Sequence, residues 1–97
     1  MQATPPPAND AIALTVLPRG VRARVVAVRQ ATPADRALAL RLMELGFIEG
    51  EPLHVVAFGQ PGHDPIGVRL GGRGGAGAFA LRRKEASLVW VLPEGRS

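Results

Sequence analysis

Apolar residues recur along this chain with two periods, and the places where one gives way to the other divide it into elements. Between Val21 and Val28, Val21, Ala23, Val25 and Ala27 share one face while Arg22 and Arg24 share the other. A period of two is the mark of a strand with one buried side. The run becomes apolar on both faces at its end, which predicts that this end is deeply buried. Pro18 and Gly20 place a turn before it.

The period then changes. Leu38, Leu42 and Leu45 recur at i, i+4 and i+7, one stripe of a helix, and Leu40, Met43 and Phe47 widen it. Arg36, Arg41 and Glu44 lie beside or opposite the stripe. The ends are encoded too. Thr32 suits the N-cap, Pro33 the first helical position, and Asp35 can reach back as the acid of a capping box. Gly46 can take the left-handed conformation that stops a helix. Leu40 and Met43 fall off the main stripe. They either pack on the rest of the fold or form an exposed, Met-containing docking surface.

Three further strand-like segments follow. Leu53 to Phe58 is the first, and a Gly- and Pro-rich turn spans Gly59 to Pro65. In the second, Ile66, Val68 and Leu70 alternate with Gly67 and Arg69. Gly71 to Gly77 reads as a mobile hairpin loop, after which Phe79 and Leu81 alternate with Ala80 and Arg82. Lys84 to Ser87 suits a single helical turn, and Leu88 to Leu92 is a last apolar strand ended by Pro93. With a single full helix, a parallel α/β sheet lacks its crossovers. Short hairpins that curl to hide their edges suit these lengths better. The predicted fold is mainly β: a small SH3-like barrel of about five strands, with one α-helix between the first and second. Residues 1–12, with Pro5, Pro6 and Pro7, read as a disordered tail, 13–93 as the domain and 94–97 as a short C-terminal tail.

Composition narrows the function. A chain of 97 residues accommodates one domain. It has no cysteine, so disulfides and thiolate metal sites are excluded. The net charge is +4, almost all from arginine, with Lys84 the only lysine. Nucleic-acid readers usually add stacking aromatics, whereas this chain has no tyrosine, one tryptophan and three phenylalanines, so no nucleic-acid partner is expected. The apolar run Ala11–Leu17 follows no basic residue and is too short to span a bilayer, which takes about 20 apolar residues. A cytoplasmic protein is expected.

The candidate chemistry is sparse. Gly72, Gly74 and Gly77 fit G-x-G-x-x-G, but a phosphate loop must run from a strand into a helix, and here a strand is predicted next. His54, His63, Asp64 and Glu51 are the available metal ligands. A closed site takes about four in tight geometry, so these imply a divalent ion (Fe²⁺ or Zn²⁺) only if the turn folds back in register or a second chain completes the site. Ser87 and Ser97 stand in no nucleophile motif, and no pair of acids is placed for acid–base work. No enzyme activity and no required cofactor are expected.

The blocks taken in order resemble the FeoA family of ferrous iron transport accessory proteins. The resemblance runs from Leu17-Pro18-Arg19-Gly20 into Ala23-Arg24-Val25-Val26, then through Arg41-Leu42-Met43-Glu44-Leu45-Gly46-Phe47 and Gly50. It continues with Asp64-Pro65-Ile66, Val68 and Leu70, and ends with Ala80-Leu81-Arg82-Arg83, Glu85-Ala86 and the final strand. It implies an SH3-like barrel and a cytoplasmic helper that binds and modulates the membrane transporter FeoB, which carries a GTP-binding domain. A similar barrel forms the C-terminal domain of some iron- and manganese-dependent repressors, which implies the alternative of a domain that binds or senses a transition metal, with the ion shared between chains. The family pattern supplies no catalytic residues and no metal ligands. Leu40, Met43, Glu44 and Phe47 are the candidate partner-binding residues. The hairpin Gly71–Ala78 is longer and richer in glycine than the family's usual tight turn.

Overall fold

Six antiparallel strands and one main helix enclose a single apolar core. The computed structural model describes residues 10–71 and 77–94. The strands are β1 (Ile12–Ala13), β2 (Arg22–Val28), β3 (Pro52–Phe58), β4 (Ile66–Leu70), β5 (Gly77–Leu81) and β6 (Val89–Pro93). Helix α1 (Arg36–Leu45) lies between β2 and β3, and the one-turn helix α2 (Arg83–Ala86) between β5 and β6. The order across the sheet is β1-β6-β2-β3-β4-β5. Most of the segment between Gly71 and Gly77, including Gly72 and Gly74, lies outside the described residues, as do 1–9 and 95–97.

Alternation places the core. Ala23 and Val25 of β2, Leu53 and Val55 of β3, Val68 and Leu70 of β4, and Val89 and Val91 of β6 all point inward and are buried. Their neighbours Arg22, Arg24 and Arg69 face out. Each fully buried Leu or Val stabilises the fold by about 1.5–3 kcal/mol relative to exposure. Register shifts occur between Val25 and Ala27 against β6, and between Val55 and Ala57 against β4. Such bulges bend a strand and increase its twist, and they let the sheet curl round one core.

Two details sharpen the expected SH3-like barrel. The sheet has six strands rather than about five, because Ile12 and Ala13 pair with Val91 and Trp90 of β6. The ring is also not completed by hydrogen bonds. Among the described residues β5 and β1 do not pair. The short 3₁₀ turn Leu14–Val16 follows β1, and Leu14 and Leu17 are fully buried in the core it borders.

Helix α1 starts and stops where its sequence dictates. A 3₁₀ turn, Pro33–Asp35, leads into it from Thr32. The Asp35 carboxylate accepts the N–H of Thr32 at 3.0 Å and of Ala31 at 2.9 Å, while the Asp35 N–H donates to the Thr32 carbonyl at 2.9 Å. Gly46 ends the helix at φ +120°, and an added Cβ there would meet Leu70 Cδ1 at 3.1 Å. Both the backbone angle and the packing therefore favour glycine. The helix buries Ala39 and Leu42 and packs against β2 and α2.

Candidate docking surface

Val16 and Val56 are exposed singly elsewhere, and the outward face of α1 leaves a pair of apolar side chains uncovered together. Ala39 and Leu42 turn inward, and Leu40 and Met43, three residues apart, flank that buried stripe toward solvent, 47% and 38% exposed. Glu44 is exposed beside them, one turn on from Leu40. Ile48, just past the helix stop, is 52% exposed. Periodicity could flag Leu40 and Met43 but not Ile48, which belongs to no helix or strand.

Phe47 does not belong to this surface, contrary to the expectation from its place in the motif. It is fully buried, with its ring 6.1 Å from that of Phe79 at 56°. The helix-wheel argument lapses at Gly46, where the chain reverses, and the Phe47 N–H turns back to the Leu42 carbonyl at 3.0 Å. Phe47 is a core residue that anchors the end of α1.

The four metal candidates do not converge. Among the described residues no three His, Asp or Glu side chains gather as a metal site. His54 lies in β3 directly between Arg22 of β2 and Arg69 of β4, where two guanidinium groups oppose a cation. His63, in the turn after β3, stacks on Phe58 at 4.7 Å between ring centroids. Asp64 is engaged elsewhere: it accepts the Arg83 N–H at 3.2 Å and lies 3.8 Å from the Arg82 guanidinium, so it caps α2. Glu51 sits at the entry to β3, where its backbone carbonyl accepts the Val25 N–H. These residues do not fit a closed divalent site within one chain. The hairpin places His54 opposite Arg69, not His63.

A groove of about 500 Å³ opens on the outer sheet face among Arg22, Arg24, Pro52, His54 and Glu94. Arg24 is fixed at its rim by an ion pair with Glu94 and a hydrogen bond to the Gly50 carbonyl at 2.8 Å. The Ser87 hydroxyl donates to the Lys84 carbonyl at 2.6 Å, closing the end of α2. Gly77 opens a strand, not a helix, so the glycine motif lacks the helix N-terminus that would hold a phosphate.

The FeoA domain model matches residues 12–93, which span every strand and both helices. The chain belongs to the FeoA family. Stenotrophomonas maltophilia FeoA, solved as a complex with zinc, is 40% identical over 82% of this chain and 88% of its own, with a TM-score of 0.70. That protein is described as a prokaryotic SH3 domain protein with a suggested role as a ferrous iron transport activating factor. Chlorobium tepidum FeoA is 36% identical over 89% of this chain and 73% of its own, with a TM-score of 0.67. A manganese-dependent transcriptional repressor shares the fold at a TM-score of 0.72 and 22% identity, over 90% of this chain and 38% of its own. No curated protein sequence matches the chain. This FeoA chain is thus a mainly β, SH3-like domain, and no helix among its described residues is long and apolar enough to cross a membrane.

Proposed function

We propose that this FeoA protein is a non-enzymatic cytoplasmic accessory that binds the cytoplasmic part of a FeoB-type ferrous iron transporter and modulates Fe²⁺ uptake. The observation that carries the reading is the pair Leu40 and Met43. The capped helix holds both toward solvent beside Glu44, while its other side is spent on the core. Uncovered apolar side chains on a rigid element are what a protein partner buries. Family membership names the process, and the relatives described as iron transport proteins support it.

Deleting the gene should lower Fe²⁺ uptake, and restoring it with Leu40→Glu/Met43→Glu should not rescue uptake although the variant folds. Uptake unchanged on deletion contradicts the reading.

The zinc in the S. maltophilia relative keeps a second reading in view. An ion held here would need ligands from two chains, because no three such side chains gather among the described residues. Calorimetry with Zn²⁺ on the wild type, His54→Ala and His63→Ala tests it. Binding heats lost in His63→Ala, together with metal-dependent dimerisation, would support that alternative.

A further inference from the structure

We propose that the outer face of β2, β3 and β4 is a second docking surface, one that takes an acidic segment of a partner protein. Arg22 is the cross-strand partner of His54, and His54 of Arg69. The three side chains therefore form one row on the solvent face. Arg22 and Arg69 thus stand on either side of His54, two guanidinium charges on one face of the sheet.

The carboxylate nearest the row is that of Glu94, whose N–H donates to the Arg22 carbonyl and which lines the same groove. All eight acidic residues of the sequence lie among the described residues. Glu94 pairs with Arg24, Asp64 with Arg82 and Asp35 with Lys84. Among the described residues no Asp or Glu forms an ion pair with Arg22, His54 or Arg69. Arg24 is already engaged by Glu94 and Gly50, so it forms a fixed wall and leaves Arg22 and Arg69 as the charges available to a ligand. Both are exposed.

The spacing selects the ligand. Three neighbouring strands spread the row over about 10 Å. In an extended segment, side chains at i and i+2 share a face and lie about 7 Å apart. Two carboxylates so spaced can each meet one guanidinium, which binds carboxylate in a fork of two hydrogen bonds. A single small anion neutralises one end of the row only. The groove beside it, walled by Pro52 and the Arg24–Glu94 pair, gives the segment a floor and an edge.

The proposal rests on the reading that the protein acts by binding another protein, but it uses a different face from Leu40 and Met43. Fluorescence anisotropy of a labelled (Glu-Gly) repeat peptide is the test, with inorganic phosphate and single-stranded RNA as competitors. The peptide should bind at low salt and weaken steeply as salt rises toward about 0.5 M. Arg22→Glu/Arg69→Glu should lose about tenfold or more in affinity, and Arg22→Gln/Arg69→Gln should follow if the first variant folds poorly. Arg36→Glu/Arg41→Glu, with the same change of net charge, should bind as the wild type does, and so should Leu40→Glu/Met43→Glu. No peptide binding at low salt overturns the proposal. So does equal loss in both arginine pairs, or phosphate or RNA displacing the peptide more effectively than unlabelled peptide does. If transporter binding persists in Arg22→Glu/Arg69→Glu, the accessory reading stands.

Discussion

Phe47 and Leu40 show how differently two apolar residues of one motif are used. Phe47 is fully buried against Phe79, and Leu40 is half exposed. Phe47→Ala should cost about 3–5 kcal/mol, the usual range for emptying an aromatic site in a core, and Leu40→Ala well under about 1 kcal/mol. Urea denaturation of the two variants measures the contrast, and equal costs would mean that Phe47 is not where the structure places it. Asp35 offers a test in pH. The Thr32 N–H, with help from the Ala31 N–H and from Lys84, holds its carboxyl below the ordinary value of 3.8, against the opposing effect of burial. A depressed folded-state value stabilises the protein above the unfolded-state value, and that stability is lost as pH falls through the folded one. Asp35→Asn should therefore cost most at neutral pH, with its deficit shrinking below about pH 4. A deficit independent of pH would show that the charge of Asp35 contributes nothing.

At the scale of elements, helix ends were the most legible part of the sequence. Thr32, Pro33, Asp35 and Gly46 each encode a local backbone requirement, and the helix begins and ends at them. Alternation marks β2, β4 and β5, and short apolar runs mark β3 and β6, although β2 and β3 each carry a bulge that the pattern does not announce. Two residues are too few to show a period, so no alternation marks strand β1. Its existence depends on the partner strand β6. The role of Asp64 was hidden for the same reason. It lies in the turn between β3 and β4 yet caps α2, nineteen positions away. Asp64→Ala should destabilise the protein by about 1 kcal/mol, the ordinary cost of losing such a cap. Zn²⁺ affinity should stay unchanged, and calorimetry beside thermal unfolding reads both. A loss of Zn²⁺ binding without loss of stability would reverse the assignment.

For the molecule as a whole, the sequence carried the architecture further than it carried the site. Burial of one face per strand follows from residue order, so an SH3-like, mainly β domain could be read directly. Which side chains meet across strands follows from register, and register is set by turns and bulges. His54 and His63 meet only if the turn folds back in one register, and the hairpin instead gives His54 to Arg69. That one pairing separates His54 from His63 within the chain and sets His54 in a basic row. The exposed pair Leu40 and Met43 was legible as lying off the helix stripe, but the alternative that the rest of the fold covers them needed the packing of α1 to decide.

The molecule that results has a rigid core, a capped helix with apolar residues outward, and no gathered set of catalytic or metal-binding groups among its described residues. The proposed function is recognition of a transporter through that helix. Calorimetric titration of the transporter's isolated cytoplasmic domain with the wild type and with Leu40→Glu/Met43→Glu tests this most directly. The account predicts saturable binding by the wild type and its loss in the variant at unchanged melting temperature. Equal affinity for both proteins, or no heat from either at high micromolar concentration, would contradict it.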